Sequence, residues 1–209
     1  MMRTLPVART SNKQEQALEQ LLEEVRACRV CAHSLPLGPR PVIRARVTAR
    51  LLIVGQAPGL RVHETGIPWN DPSGDRLRVW LGLDRDTFYD DTQIAIIPAG
   101  LCYPGREPRG GDLPPRPECA PLWFERVRVL LPHIRTTLLA GGYAQRWCLG
   151  ERVHPTLTQT VLHWRDFVPE YFPLPHPSFR NNLWLKNNPW FEKELLPCLR
   201  SRVRDVLTF

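Results

Sequence analysis

Six cysteines, the histidine of a His-Pro-Ser run and a glycine-rich turn are the residues of this chain whose types and spacing carry chemistry. Cys28 and Cys31 form a CxxC pair, a spacing that places two thiolates on one turn and that metals favour. Cys102 and Cys119 flank the loop YPGREPRGGDLPPRPE. Four thiols suit a structural zinc or an iron–sulfur cluster, and the residue types alone lean to zinc. Cys148, in an apolar run, and Cys198, beside Pro197, read as core residues. Gly55-Gln56-Ala57-Pro58-Gly59 follows an apolar stretch; its bare backbone can approach a ligand closely, but by itself it reads as a structural turn. His176, before Pro177 and Ser178, is by itself a loop residue. Other chemistries are excluded by pattern. His63-Glu64 lacks the spacer of a zinc deaminase, GREPRGGD lacks the GK[ST] of a phosphate loop, and neither HExxH nor GxSxG occurs.

The elements that must position these residues can be read from period and punctuation. Residues 1–12 read as a flexible tail, and Ser11 or Asn12 as the cap of a helix to about Ala27 with Ala17, Leu18, Leu21, Leu22 and Val25 as its apolar stripe. ARLLIV (49–54), QIAII (93–97) and TTLL (136–139) read as short buried strands. Helices are expected over 74–83, 118–131 and 142–149. Residues 159–175 suggest a hairpin-like return into a last strand reaching His176. Asn188-Pro189 opens a C-terminal helix that Pro197 is expected to kink. Strands alternating with helices imply an α/β fold: a three-layer α/β/α sandwich around a central, mostly parallel four-stranded sheet, one domain over 13–209.

Composition sets outer bounds. A chain of 209 residues, 43% hydrophobic and 23% charged, has the make-up of a globular protein. No stretch approaches the roughly 20 apolar residues of a membrane span, so no membrane partner and a cytoplasmic location are expected. A reducing cytoplasm makes metal binding the better use of cysteine. The net charge is +7, and all but Lys13, Lys186 and Lys193 of the 28 basic residues are arginine. Arginine forks match phosphate oxygens, which suits a nucleic-acid partner; a genome rich in arginine codons accounts for the excess equally well.

The run GQAPGLRVHETGIPWNDPSG (55–74) resembles the first motif of the iron–sulfur class of uracil-DNA glycosylases, family 4, roughly GEAPGxxEDxxGxPFxGxxG. Gly55, Gly59, Gly66 and Gly74 fall at the family's spacing, and Trp69 takes the place of its aromatic. His176-Pro177-Ser178 resembles the superfamily's HPS signature, and Cys28, Cys31, Cys102 and Cys119 match the family's cluster ligands. The resemblance implies a [4Fe–4S] cluster, with structural zinc as the alternative, and a monomeric DNA glycosylase acting on DNA with a damaged base. Such an enzyme must take its base out of the stack. Trp69 then forms the floor under the base, His176 donates to the leaving base, and Phe179 and Arg180, read as free of helix, fill the gap or clamp a phosphate. Gly55, Ala57, Pro58, Asn70 and Ser178 complete the expected base contacts, with Gln56 beside His176 as the catalytic pair.

Three departures from the family pattern bear on substrate. Gln56 replaces a glutamate. Ala57 stands where better-known relatives carry a water-activating aspartate, which family 4 itself lacks, and the family's acidic pair becomes Val62 and His63. Pro98 stands where the family's uracil-reading asparagine lies, and proline has neither side-chain donor nor backbone N–H. Asn70 or Asp71 is a substitute reader. The base is therefore left open between uracil, hypoxanthine and xanthine, and a catalytically weak member that binds damaged or single-stranded DNA is the competing reading.

Overall fold

The computed structural model describes residues 7–108 and 110–207. The chain begins with α1 (Val7–Arg26) and continues through β1 (Leu51–Val54), α2 (Leu60–Thr65), α3 (Pro72–Leu81), α4 (Arg85–Phe88) and β2 (Ile94–Ile96). Then come α5 (Cys119–Arg128), β3 (Thr136–Ala140), α6 (Gly142–Leu149), α7 (Leu157–Leu162), β4 (Tyr171–Leu174), α8 (Asn182–Asn187) and α9 (Leu196–Leu207). The four strands form one sheet in the order β2-β1-β3-β4, and each adjacent pair is parallel. The expected α/β sandwich with a four-stranded parallel sheet is therefore present.

Apolar residues on every position of a strand mean burial on both faces, and β1 shows how the two faces divide. Leu52 and Val54 enter one core with Leu18, Leu22 and Val25 of α1, Phe124 and Val127 of α5 and Ala144 of α6. Leu51 and Ile53 enter the other with Leu77 and Leu81 of α3, Val161 of α7 and Leu199 and Val203 of α9. The period of two along the strand thus separates two helical layers. Among the described residues no helix is long and apolar enough to cross a membrane.

Several boundaries differ from expectation. Helix α1 starts at Val7, so Ser11 and Asn12 lie inside it; its buried stripe is Leu18, Leu21, Leu22 and Val25, while Ala17 is exposed. Residues 1–6 of the expected tail lie outside the described residues. Helix α3 begins at Pro72 because the Asp71 carboxylate accepts the Gly74 amide at 2.8 Å, a side-chain cap with proline in the first turn. No hairpin forms over 159–175: α7 and a 3₁₀ turn (Trp164–Asp166) carry the chain across, and β4 joins β3 in parallel. A crossover is what a parallel neighbour demands. At the C-terminus a π-turn over Phe191–Leu195 precedes α9. The wider turn falls just where Pro197 has no N–H for the preceding turn, so the helix swells there.

Candidate active site and metal centre

The connections from β1 and β3 leave in opposite directions, and such a switch point opens a crevice at the strand carboxyl ends. A cleft of about 530 Å³ occupies that place. Its wall runs from Gly55, Gln56, Ala57 and Pro58 after β1 through Trp69 and Asp71 to Pro98 after β2. The opposite side carries His176, Ser178, Phe179 and Arg180, with Asp112 from the loop before α5. Two motifs more than a hundred residues apart in sequence thus meet across one space.

Trp69 is held there by an unusual backbone. Its φ of 56° is the single positive value outside glycine among the described residues, a conformation costing on the order of 1–3 kcal/mol that persists only when its surroundings impose it. Those surroundings explain the motif glycines. A Cβ at Gly55 would lie 2.8 Å from the Trp69 ring, and one at Gly74 would lie 1.7 Å from the Trp69 carbonyl oxygen. Arg78, buried on α3, donates to that carbonyl at 3.3 Å, and the Tyr89 hydroxyl donates to the neighbouring Pro68 carbonyl at 2.8 Å. Sequence reading missed this brace; its signal was a lone arginine on the buried face of DRLRVWLGL.

The Trp69 ring lies 5.5 Å from the His176 imidazole at a 33° tilt. Nδ1 of His176 accepts the Ser178 amide at 3.2 Å, and the His176 carbonyl accepts from Asn181 at 2.7 Å. Because Nδ1 is an acceptor, the neutral ring carries its proton on Nε2. Burial holds the imidazole below its ordinary value, and the charge of Asp71 only partly offsets this. A neutral imidazole with an Nε2 donor in the cleft is what hydrogen bonding to a developing anion requires.

Other expected contacts are redirected. The Asn70 carboxamide oxygen accepts from Arg85 at 2.9 Å, and Asn70 is not part of the cleft wall. Gln56 lines the cleft, yet its amide reaches toward the Leu113 carbonyl at 3.5 Å. Ser178 accepts the Arg180 amide as the cap of a 3₁₀ turn over Phe179–Asn181, so these residues are not free of helix. The Arg180 guanidinium donates to the Gly110 carbonyl at 3.2 Å and lies so close to Gly111 that a Cβ there would be 2.2 Å away. Phe179 is 68% exposed at the mouth, as a wedge would have to be.

Cys28, Cys31, Cys102 and Cys119 line a second cavity together with Arg116 and Trp123. Burial pushes the thiols of Cys102 and Cys119 up to about 11 and about 12, so only a bound cation would make them thiolates near neutrality. The surroundings fit an anionic metal–thiolate group. The Leu101 amide donates to Cys119 Sγ at 3.3 Å, and two buried N–H groups of cavity-lining residues, Arg116 Nε and Trp123 Nε1, have no partner. Among the described residues no group of three or more thiol, imidazole or carboxylate side chains is arranged to hold a metal ion. Cys148 is partly buried against the first core, while Cys198 is exposed on α9 and is not a core residue.

The fold and cleft together define a superfamily. The family described as the uracil DNA glycosylase superfamily matches residues 44–200, and the chain belongs to it. The chain is also similar to the type-4 uracil-DNA glycosylase of Sulfurisphaera tokodaii, with 24% identity over 181 residues, 78% of this chain and 74% of that one. The superfamily match covers both cleft motifs and the second cysteine pair and begins after the CxxC turn.

Proposed function

We propose that this protein excises uracil or another deaminated base from DNA by flipping the nucleotide and hydrolysing its N-glycosidic bond. The observation that carries the reading is the pairing of Trp69 with a neutral His176 across one cleft. A flipped base stacks on the Trp69 face, and His176 Nε2–H donates to its carbonyl as negative charge builds on the leaving ring. The imidazole need not change protonation for this, since the donor is already present. Phe179 enters the gap left in the stack. Arg180, tied to Gly110, closes the cleft beside it and reaches a phosphate through its remaining N–H groups.

Which base is taken depends on what replaces the amide lost at Pro98. The cleft wall there has no donor, so discrimination falls to Gln56 and the backbone of Ala57 and Pro58 on one side and Ser178 on the other. Cys28, Cys31, Cys102 and Cys119 hold a [4Fe–4S] cluster, with structural zinc as the alternative. When bound, that group supplies a fixed dianionic thiolate centre that pins the end of α1 to the start of α5. The protein works as a cytoplasmic monomer on damaged DNA.

The test uses labelled oligonucleotides bearing uracil, hypoxanthine or xanthine, treated with alkali after incubation. Wild type should leave alkali-labile sites on at least one base, and His176→Ala should lose them by about 10²–10³-fold, the usual cost of one electrostatic donor. Equal inertness of both proteins with retained DNA affinity would make the chain a damage-binding module instead.

A further inference from the structure

Hydrolysis at C1′ needs a nucleophilic water, and the turn after β1 offers nothing to activate one. Gln56, Ala57 and Pro58 contain neither acid nor base, and His176 accepts the Ser178 amide at Nδ1 and carries on Nε2 the proton that the glycosylase reading assigns to the leaving base. Two carboxylates line the cleft, Asp71 and Asp112. Both point toward Gly59: a Cβ there would stand 4.0 Å from Asp71 Oδ2 and 3.3 Å from Asp112 Oδ2.

We propose that Asp71 is the general base that activates the hydrolytic water. The assignment rests on the glycosylase reading and adds the residue that its motifs leave unsupplied. Asp71 is prepared for this by its second task. Oδ1 accepts the Gly74 amide as the cap of α3, which fixes the side chain and leaves Oδ2 facing the cleft. It lies two residues after Trp69 at the start of a ten-residue helix, and its charge is the one felt at the His176 ring. Asp112, whose carboxyl burial raises above its ordinary value against the charges of Arg106 and Arg180, belongs instead to a loop containing Gly110 and Gly111. A base on a rigid element is held more closely to a reacting atom than one on a glycine loop.

The step balances with water as sole co-reactant. A lone pair of the water oxygen forms the bond to C1′ as the C1′–N bond breaks, its electrons passing to the base. The water proton moves to Asp71 Oδ2. The base anion, held by His176 Nε2–H, takes up one proton, and Asp71 releases one to solvent. The products are the free base and an abasic site.

Asparagine and serine cap helices about as well as aspartate, so Asp71→Asn and Asp71→Ser remove the base while keeping the cap. In single-turnover assays on whichever of the uracil, hypoxanthine and xanthine oligonucleotides wild type cleaves, both variants should be slower by about 10²–10⁴-fold. Melting temperature should hold, as should affinity for an oligonucleotide carrying the 2′-fluoro form of the same nucleotide, whose fluorine resists C1′–N cleavage. Variants that keep the wild-type rate while wild type cleaves would overturn Asp71 alone, as would a loss confined to Asp112→Asn. Rate and 2′-fluoro affinity falling together would make Asp71 a positioning residue only. Wild type inert on every base would sink the glycosylase reading itself, and Asp71 with it.

Discussion

The neutral His176 ring carries its proton on Nε2 because its Nδ1 already accepts the amide of Ser178, two residues on. The histidine and serine of the HPS motif therefore serve one hydrogen-bond pattern, with serine contributing through its backbone and capping the next turn through its hydroxyl. This has a consequence for pH. Burial lowers the folded-state value of His176 below its usual 6.5, so on acidification the unfolded chain binds a proton first. The residue's contribution to stability is whole above about 6.5 and is lost as pH falls through the folded value. Urea melts of wild type should therefore weaken between about pH 7.5 and about pH 5 more than those of His176→Asn. Identical slopes would show the imidazole to be solvated. At this scale the motif residues were legible, since glycines at 55 and 74 are required by the Trp69 backbone and ring. Asn70 and Arg180 were not, because Arg85 and Gly110, which turn them, come from segments whose approach no local pattern announces.

Elements were legible where burial was two-sided and continuous. ARLLIV, QIAII and TTLL contain apolar runs buried on both faces, and they became β1, β2 and β3. Over 159–175 the last strand is present as β4, but the expected hairpin-like return is instead α7 and a 3₁₀ turn, because α7 has six residues, too few to display a helical period. The start of α3 depends on a cap whose partner amide lies three residues ahead, so a boundary read from hydrophobicity alone came two residues late. That helix also fixes the cleft, because Gly74 lies in its first turn against the Trp69 carbonyl. Gly74→Ala should destabilise the protein by about 1–3 kcal/mol or more, the range for overpacking a closed site, measured by chemical denaturation. A neutral substitution would mean that the Trp69 loop moves freely.

For the whole molecule, the two cores and the single parallel sheet bring segments from the second and last quarters of the chain to the carboxyl ends of the strands. The cysteine cavity joins the end of α1 to the start of α5 on the side of the sheet facing the first core. Anaerobically purified protein should be brown, with broad visible absorbance that Cys28→Ala or Cys102→Ala abolishes. A colourless protein with one zinc would replace the cluster and leave the fold intact. The cysteine quartet, which spacing suggests as a metal set, lines one cavity, but the choice of metal was not legible, because thiol type alone does not fix the distance between sulfurs. Sheet order and the meeting of Trp69 with His176 were likewise beyond local pattern, since they depend on crossovers and not on any one segment.

In the proposed function the Trp69–His176 cleft cleaves a base from DNA. Chromatographic measurement of free base released from oligonucleotides bearing uracil, hypoxanthine or xanthine tests it most directly. The expected result is release of at least one of the three by wild type, matched by an equal yield of abasic sites and lost in His176→Ala. Wild-type protein that binds all three oligonucleotides and leaves every base attached would contradict it.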